Sequence, residues 1–341
     1  MSGHLRGAVS SELRGHFVAF ASAFLWASSF PVTQLLLASW DPLPLAAVRI
    51  SVAALFLLAG LYFVGYGGEL RRAPWPDVLR VGGIGIGCGA LLLVWGQSLA
   101  SAVTAAVTTA AMPAISALAG CIEARRMPGL RLLAAVLLAV VGGVLAVLAG
   151  HGGNAHFRGG ELLVFAAMVL WVWYSRAAMR SLGGLSDLAT AALTTFAGGL
   201  LLVLAVGIAA LAGIRGLAVD WRPTNVALLL WLACIAVALP VALWIHGVRL
   251  LGITLCSIHL NLVPLYAALT SSLALERVPP MQWLGAALVV AAALLAREKA
   301  ATGLARPQPE PAPAIADPPR GAAGHRHPAT KADAPRSPTS V

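Results

Sequence analysis

Long apolar stretches alternate along this chain with short breaks of turn-forming and charged residues. A helix needs roughly 20 predominantly apolar residues to cross the hydrocarbon core of a bilayer. Ten stretches meet that length: residues 17–37, 43–63, 78–97, 102–122, 130–149, 160–179, 188–212, 226–247, 253–275 and 281–297. Gly, Pro and charged residues cluster in the breaks, as in Gly65–Asp77, Glu123–Gly129 and Gly213–Asn225, where the chain must turn. The breaks after the third and eighth stretches, Gln97–Ser101 and Arg249–Gly252, are short. The pattern predicts an all-α membrane protein with ten transmembrane helices. Residues 1–16 form an N-terminal segment before the first span. Residues 298–341 are rich in Pro and Ala with few large apolar side chains, so they read as a disordered tail that cannot bury enough surface to offset its ordering entropy.

Composition agrees. Hydrophobic residues make up 59% of the 341 and charged residues 11%, under half the share of an ordinary soluble domain. Thirteen acids and 23 bases cannot cover a soluble globule of this size, so a soluble enzyme is excluded. The net charge of +10 would fit a nucleic-acid binder, but its placement argues otherwise. With both termini in the cytoplasm, 18 of the 23 bases fall on the inner side and four outside, while Arg49 lies within a span. That asymmetry is the positive-inside pattern, and it points to topology rather than to nucleic acid. Cys88, Cys121, Cys234 and Cys256 stand singly in apolar stretches and read as small hydrophobes, not as disulfide or metal partners.

The ten spans divide into five plus five, residues 17–149 and 160–297. The fourth span of each half carries a mid-helix proline, ends on an acid and leads into an amphipathic entry. These are Pro113, Glu123 and Arg131-Leu-Leu-Ala-Ala in one half, and Pro264, Glu276 and Gln282-Trp-Leu-Gly-Ala-Ala in the other. An odd number of spans forces the two repeats into opposite orientations. Two inverted five-helix repeats are the mark of a secondary transporter with its site between the halves near mid-membrane.

Three segments resemble a known family. Residues 23–37, AFLWASSFPVTQLLL, place Trp26, Ser29 and Phe30 in a WGSNF-like segment. Pro44-Leu-Ala-Ala-Val-Arg49 resembles a proline-to-arginine entry, and residues 261–288, NLVPLYAALTSSLALERVPPMQWLGAAL, carry a proline, a terminal acid and a Gln-Trp-hydrophobic-Gly run. Together they resemble the EamA-type transporters of the drug/metabolite transporter superfamily, over about residues 17–297. The resemblance implies a ten-helix inverted-repeat carrier in the plasma (inner) membrane. It would move a small organic metabolite, such as an amino acid, commonly outward by alternating access. The implied partners are that small-molecule substrate and the lipid bilayer, with a homodimer left open.

Polar side chains at membrane depth mark function by default. Arg49 sits about two turns into the second span, where it could anchor a substrate carboxylate through its bidentate donors, snorkel outward, or pair with Asp41. Gln34, Gln97, His246 and Asn261 could add hydrogen bonds to a zwitterion or simply tie neighbouring helices together. Trp26, Trp95, Trp171 and Trp173 fit cavity walls; Trp40, Trp75 and Trp221 fit an interfacial belt. No Asp or Glu lies at the centre of a span. Glu123, Glu161 and Glu276 stand at span ends, where they could cap helices or pair with Arg125 or Arg277. His246 and His259 are left as candidates for proton coupling, and facilitated diffusion stays open beside it. The glycine run of residues 81–89 has no following Lys-Ser/Thr and reads as close helix packing rather than a phosphate loop. The sequence assigns no catalytic residue, metal ligand or cofactor. A sensor or scaffold using the basic tail, or a lipid-acting enzyme, is the alternative from another class.

Overall fold

The computed structural model describes residues 2–109, 111–127 and 159–274, with the short pieces 129–130, 133–134, 137–138, 141, 280, 283–284 and 287–288. All regular structure among the described residues is helical. The first span is two helices, α1 (Ser2–Ala27) and α2 (Ser29–Leu37). Pro31 has no N–H to give the carbonyl four residues back, at Ala27, and the helix breaks there. The Ser28 hydroxyl stitches the break by donating to the Leu25 carbonyl at 2.7 Å. Helix α1 already begins at Ser2, so the N-terminal segment is continuous with the first span.

The second span is α3 (Pro42–Phe63), whose start is set by the extended Asp41 and by Pro42 in the first turn, where a missing N–H is harmless. A short α4 (Glu69–Arg72) leads to the third span. That span runs as α5 (Trp75–Val81), a segment of π pitch (Gly82–Cys88) and α6 (Gly89–Leu99). One extended residue, Ala100, turns the chain into the fourth span, α7 (Ala102–Thr109) and α8 (Met112–Glu123).

The second half opens with α9 (Gly160–Ser181) and α10 (Asp187–Leu211), the latter capped by the Ser186 hydroxyl, which accepts from the Ala189 N–H. Next come α11 (Pro223–Leu230), a second π segment (Trp231–Ala238) and α12 (Leu239–Leu251). Gly252, at φ 78°, is the sole link to α13 (Ile253–Ile258), a 3₁₀ turn (His259–Leu262) and α14 (Val263–Ala274). Among the described residues seven helical runs are long and apolar enough to cross a membrane. They match the first to fourth and sixth to eighth expected spans. The ninth is the broken run α13 to α14. Most of the fifth and tenth expected spans, and the whole Pro/Ala-rich tail, lie outside the described residues, so ten is an expectation that the seven do not test.

The two π segments occupy the same place in each half, the middle of its third span. Wider π turns recur at functional sites. In the first half the cause is a run of glycines, which set few steric limits; in the second, Pro240 withholds the N–H that would close an α-turn. Neither irregularity was anticipated from the apolar pattern.

Small residues bring the helices close. Helix α10 lies against both α3 and the first π segment, and α1 against α12. A Cβ on Gly82 would overlap the Thr194 backbone, and one on Gly198 would meet the Gly87 nitrogen at 2.8 Å. Gly96 and Gly160 face one another in the same way across α6 and α9. The glycine run does serve close packing, as its spacing predicts.

Candidate functional site

Where α1, α3, the first π segment, α9 and the second π segment converge, the packing leaves a cavity. It has room of about 50 Å³ for the centres of water molecules, enough for a few waters and not for an amino acid. Its walls are mostly apolar: Trp26, Ile86, Met168, Trp171 and Trp244 are prominent among them. Trp26 and Trp171 lie nearly parallel, centroids 6.2 Å apart and planes 9° apart, and Trp171 also meets Trp244 at 6.0 Å. Gly85 makes the arrangement possible, because a Cβ there would strike the ring of Tyr174. That ring packs 5.3 Å from Trp171, and its hydroxyl lies 3.0 Å from Thr194 Oγ1.

Arg49 reaches this cavity. It is 4% exposed, about 11 Å along α3 from its first turn at 1.5 Å per residue. Its contacts are sparse for so costly a group. Nη1 is 3.5 Å from Thr33 Oγ1, and Nε is buried with no hydrogen-bond partner. Among the described residues no carboxylate pairs with it. Asp41, the partner considered from sequence, accepts instead from the Ala218 N–H at 2.6 Å. Trp171 Nε1 is likewise buried and unpartnered. Two residues that line the cavity, Arg49 and Trp171, thus each bury a donor without a partner, one of them cationic, and no acid lines it. Such a site has its free energy lowered by an acceptor, above all an anionic one.

The other sequence candidates lie elsewhere. Gln97 is 2% exposed and donates Nε2 to the Phe30 carbonyl at 2.5 Å, tying α6 to α2. Gln34 lies on α2, half-buried, its Oε1 unpartnered, and does not line the cavity. His246 Nδ1 is 2.6 Å from Asp187 Oδ2, and the same carboxylate pairs with Arg249, so His246 belongs to a polar cluster joining the start of α10 to the end of α12. His259 Nε2 lies 3.2 Å from His16 Nδ1, joining the 3₁₀ turn to α1. Asn261 is on that turn, but its side chain is outside what is described. Trp95 is exposed on α6, and Trp173 lines a groove on the far side of α9. Trp40, at the end of the first span, is buried against the exposed Trp221, ring centroids 4.9 Å apart.

Glu123 differs from its expectation too. It pairs with Arg176 and Arg180 across the α8–α9 boundary, not with Arg125, because Arg125 turns away in a left-handed backbone conformation (φ 50°) just past the helix end. Trp244 and Ser22 were missed as cavity residues. Trp244 sits four residues after Pro240, on the face that brings Pro240 and Val241 to the cavity, but nothing in the sequence marks that face.

Comparison with known proteins follows the two halves. The model of the EamA-like transporter family matches residues 13–148 and again 158–297. A probable terminal-alkyne amino-acid exporter from Streptantibioticus cattleyicolor is 26% identical over 271 residues, covering 79% of this chain and 89% of that protein. A solved crystal structure, 20% identical, covers 85% of this chain and 96% of its own with a TM-score of 0.65; at that identity the likeness is one of fold.

Proposed function

This chain belongs to the EamA-like transporter family and is a multi-pass membrane protein, and from that premise we propose that it carries a small organic carboxylate, an amino acid or close relative, by alternating access between two inverted five-helix halves. Arg49 receives the carboxylate in the central cavity, and Trp171 Nε1 gives a second hydrogen bond. Trp26, Trp171 and Trp244 clasp the apolar part. Direction is outward, across an inner membrane with both termini in the cytoplasm.

The observation that carries this reading is the buried, acid-free guanidinium of Arg49 facing an aromatic cavity. A guanidinium kept in that setting without a counter-ion costs several kcal/mol, and a visiting carboxylate offsets that cost. An amino-acid cargo is in keeping with the relative named as a probable terminal-alkyne amino-acid exporter. Because an amino acid does not fit the closed cavity, the spans must part, and the two π segments that flank it are the natural places to bend.

Reconstitution in liposomes tests the proposal. Release of labelled amino acids from vesicles containing the wild-type chain should exceed that from empty vesicles, and their decarboxylated amines should not be carried. Losing a charge-assisted, bidentate contact costs about 2–4 kcal/mol, so Arg49→Gln should weaken half-saturation roughly 30- to 900-fold, with Arg49→Lys between the two. Equal transport of the amines, or intact transport by Arg49→Gln, would remove Arg49 from the substrate pocket.

A further inference from the structure

A second concave surface lies apart from the cavity, on the outer side of α8 and α9. It is an open groove with room of about 470 Å³ for the centres of water molecules. On α9, Arg176 and Arg180 are one turn apart and so share a face, with Val169, Val172 and Trp173 leading up to them. On α8, Ile115, Ala119 and Ile122 repeat at helical spacing opposite. The groove is thus apolar along its length and basic at one end, where Arg80 joins from α5. Val169 and Ile122 are exposed, so among the described residues nothing covers the apolar part, which faces outward from the helices.

The charge at the basic end is not balanced. Glu123 is shared between Arg176 and Arg180, and Asp77 holds Arg80 at 2.7 Å. Two acids thus face three arginines, and Arg125 and Arg126 follow Glu123 directly in the chain. Arg176 is largely buried. It also donates to the Ser116 carbonyl at 2.8 Å, and its Nε is buried without a partner. Arg80 and Arg180 are the accessible members, their side chains more than half exposed.

We propose that this groove binds an anionic phospholipid, its phosphate among Arg80, Arg176 and Arg180 and an acyl chain along Ile115, Ala119 and Val169. Basic pockets between transmembrane helices at the cytoplasmic surface take anionic headgroups, and the positive-inside pattern puts this end there. A free phosphate would meet the arginines but leave the apolar wall uncovered. A zwitterionic lipid would cover the wall but bring an ammonium to an arginine cluster. Only a lipid with net negative charge satisfies both ends. The assignment is independent of which solute the central cavity carries.

The test is competition for the full-length protein in neutral detergent micelles, with a fluorescent-acyl phosphatidylglycerol as the probe, read by polarisation. Unlabelled phosphatidylglycerol should displace the probe at least tenfold more effectively than phosphatidylcholine, and inorganic phosphate or glycerol phosphate should not displace it. Each interfacial arginine contributes about 1 kcal/mol, about fivefold in affinity, so Arg80→Gln with Arg180→Gln should weaken binding roughly 30-fold. Ala119→Trp, which fills the groove and leaves every arginine in place, should weaken it as well, with both variants first checked for an unchanged gel-filtration profile. Equal competition by the two lipids, displacement by free phosphate, or wild-type binding by the arginine variant would overturn the assignment; the last would place the probe on other basic segments, such as the tail.

Discussion

Two glycines in helices of similar length should respond differently to the same added methyl group. Gly198 lies in α10 against the first π segment. A Cβ there would stand 2.8 Å from the Gly87 nitrogen and 2.8 Å from Ile86 Cγ2, inside the contact distance of carbon with either. Gly60 lies in α3 with nothing within 4 Å of the same position. Alanine in place of glycine in a helix gains about 0.5–1 kcal/mol by restricting the unfolded chain. At Gly60 that gain stands alone. At Gly198 it is opposed by overpacking of about 1–3 kcal/mol, so the gain is cancelled or turned into a net loss of up to about 2.5 kcal/mol. The neighbour that must yield is partly backbone, so trimming Ile86 should not restore the loss: Gly198→Ala with Ile86→Ala should stay below Gly198→Ala alone. The measurement is unfolding in mixed micelles with a rising mole fraction of dodecyl sulfate, followed by tryptophan fluorescence, for the wild type and the three variants. If Gly198→Ala is as stable as Gly60→Ala, the helices are not held at the separation described, and the close-packing account of the glycine run fails.

Asp187 binds both His246 and Arg249 from the start of α10, with side chains a quarter to a third exposed. Asp187→Asn should destabilise by about 1–2 kcal/mol in the same assay, and adding Arg249→Leu should cost less than the sum of the two single changes; additive effects would mean that the pair does not couple the helices. Trp171→Phe keeps most of the aromatic wall and deletes its buried, unpartnered N–H. It should leave the unfolding midpoint unchanged while weakening substrate half-saturation about fivefold, the value of one neutral hydrogen bond of about 1 kcal/mol; unchanged half-saturation would mean that the donor does not meet the substrate.

Much of the architecture was legible because the membrane imposes a crude rule: a span must be long and apolar. Residues 43–63 of the second expected span fall within α3, and residues 188–212 match α10 to within a residue at each end. The rule weighs only length and apolarity, so it passes over local departures from α pitch: the glycines of residues 82–87, Pro31 and Pro240 do not interrupt an apolar count. At the site the rule that buried charge marks function found Arg49, because one arginine inside a span stands out at any register. It did not separate Gln97 or His246 from cavity residues. Each is a polar group within a span, and only the third dimension shows Gln97 answered by the Phe30 carbonyl and His246 by Asp187. Trp244 was lost for the opposite reason: one more apolar residue in an apolar span carries no mark.

The placement of polar contacts gives the proposed alternating access a physical footing. At one end Asp41 exchanges hydrogen bonds with the Ala218 backbone at 2.6 and 3.0 Å. There, too, Trp40 Nε1 donates to the Asp220 carbonyl at 3.0 Å and Asn225 Nδ2 to Ser39 Oγ at 3.0 Å. At the other end Glu123 joins Arg176 and Arg180, Glu69 accepts from the Ser186 N–H at 2.8 Å, and His16 meets His259. Each of these contacts joins a residue of the first family-matched half to one of the second. Hydrogen bonds and partly exposed pairs of this kind contribute about 1 kcal/mol apiece, so each end is held by a few kcal/mol and is released into water when it opens. Moving a two-state balance from 1:99 to 99:1 takes about 5.5 kcal/mol of differential binding. An occupant that answers Arg49 and Trp171 only when the halves close around it would supply a large part of that. Opening one end must also part apolar packing between the halves at that end, since α10 of the second half lies along α3 and the first π segment of the first, and the binding energy of the occupant has to cover that loss as well.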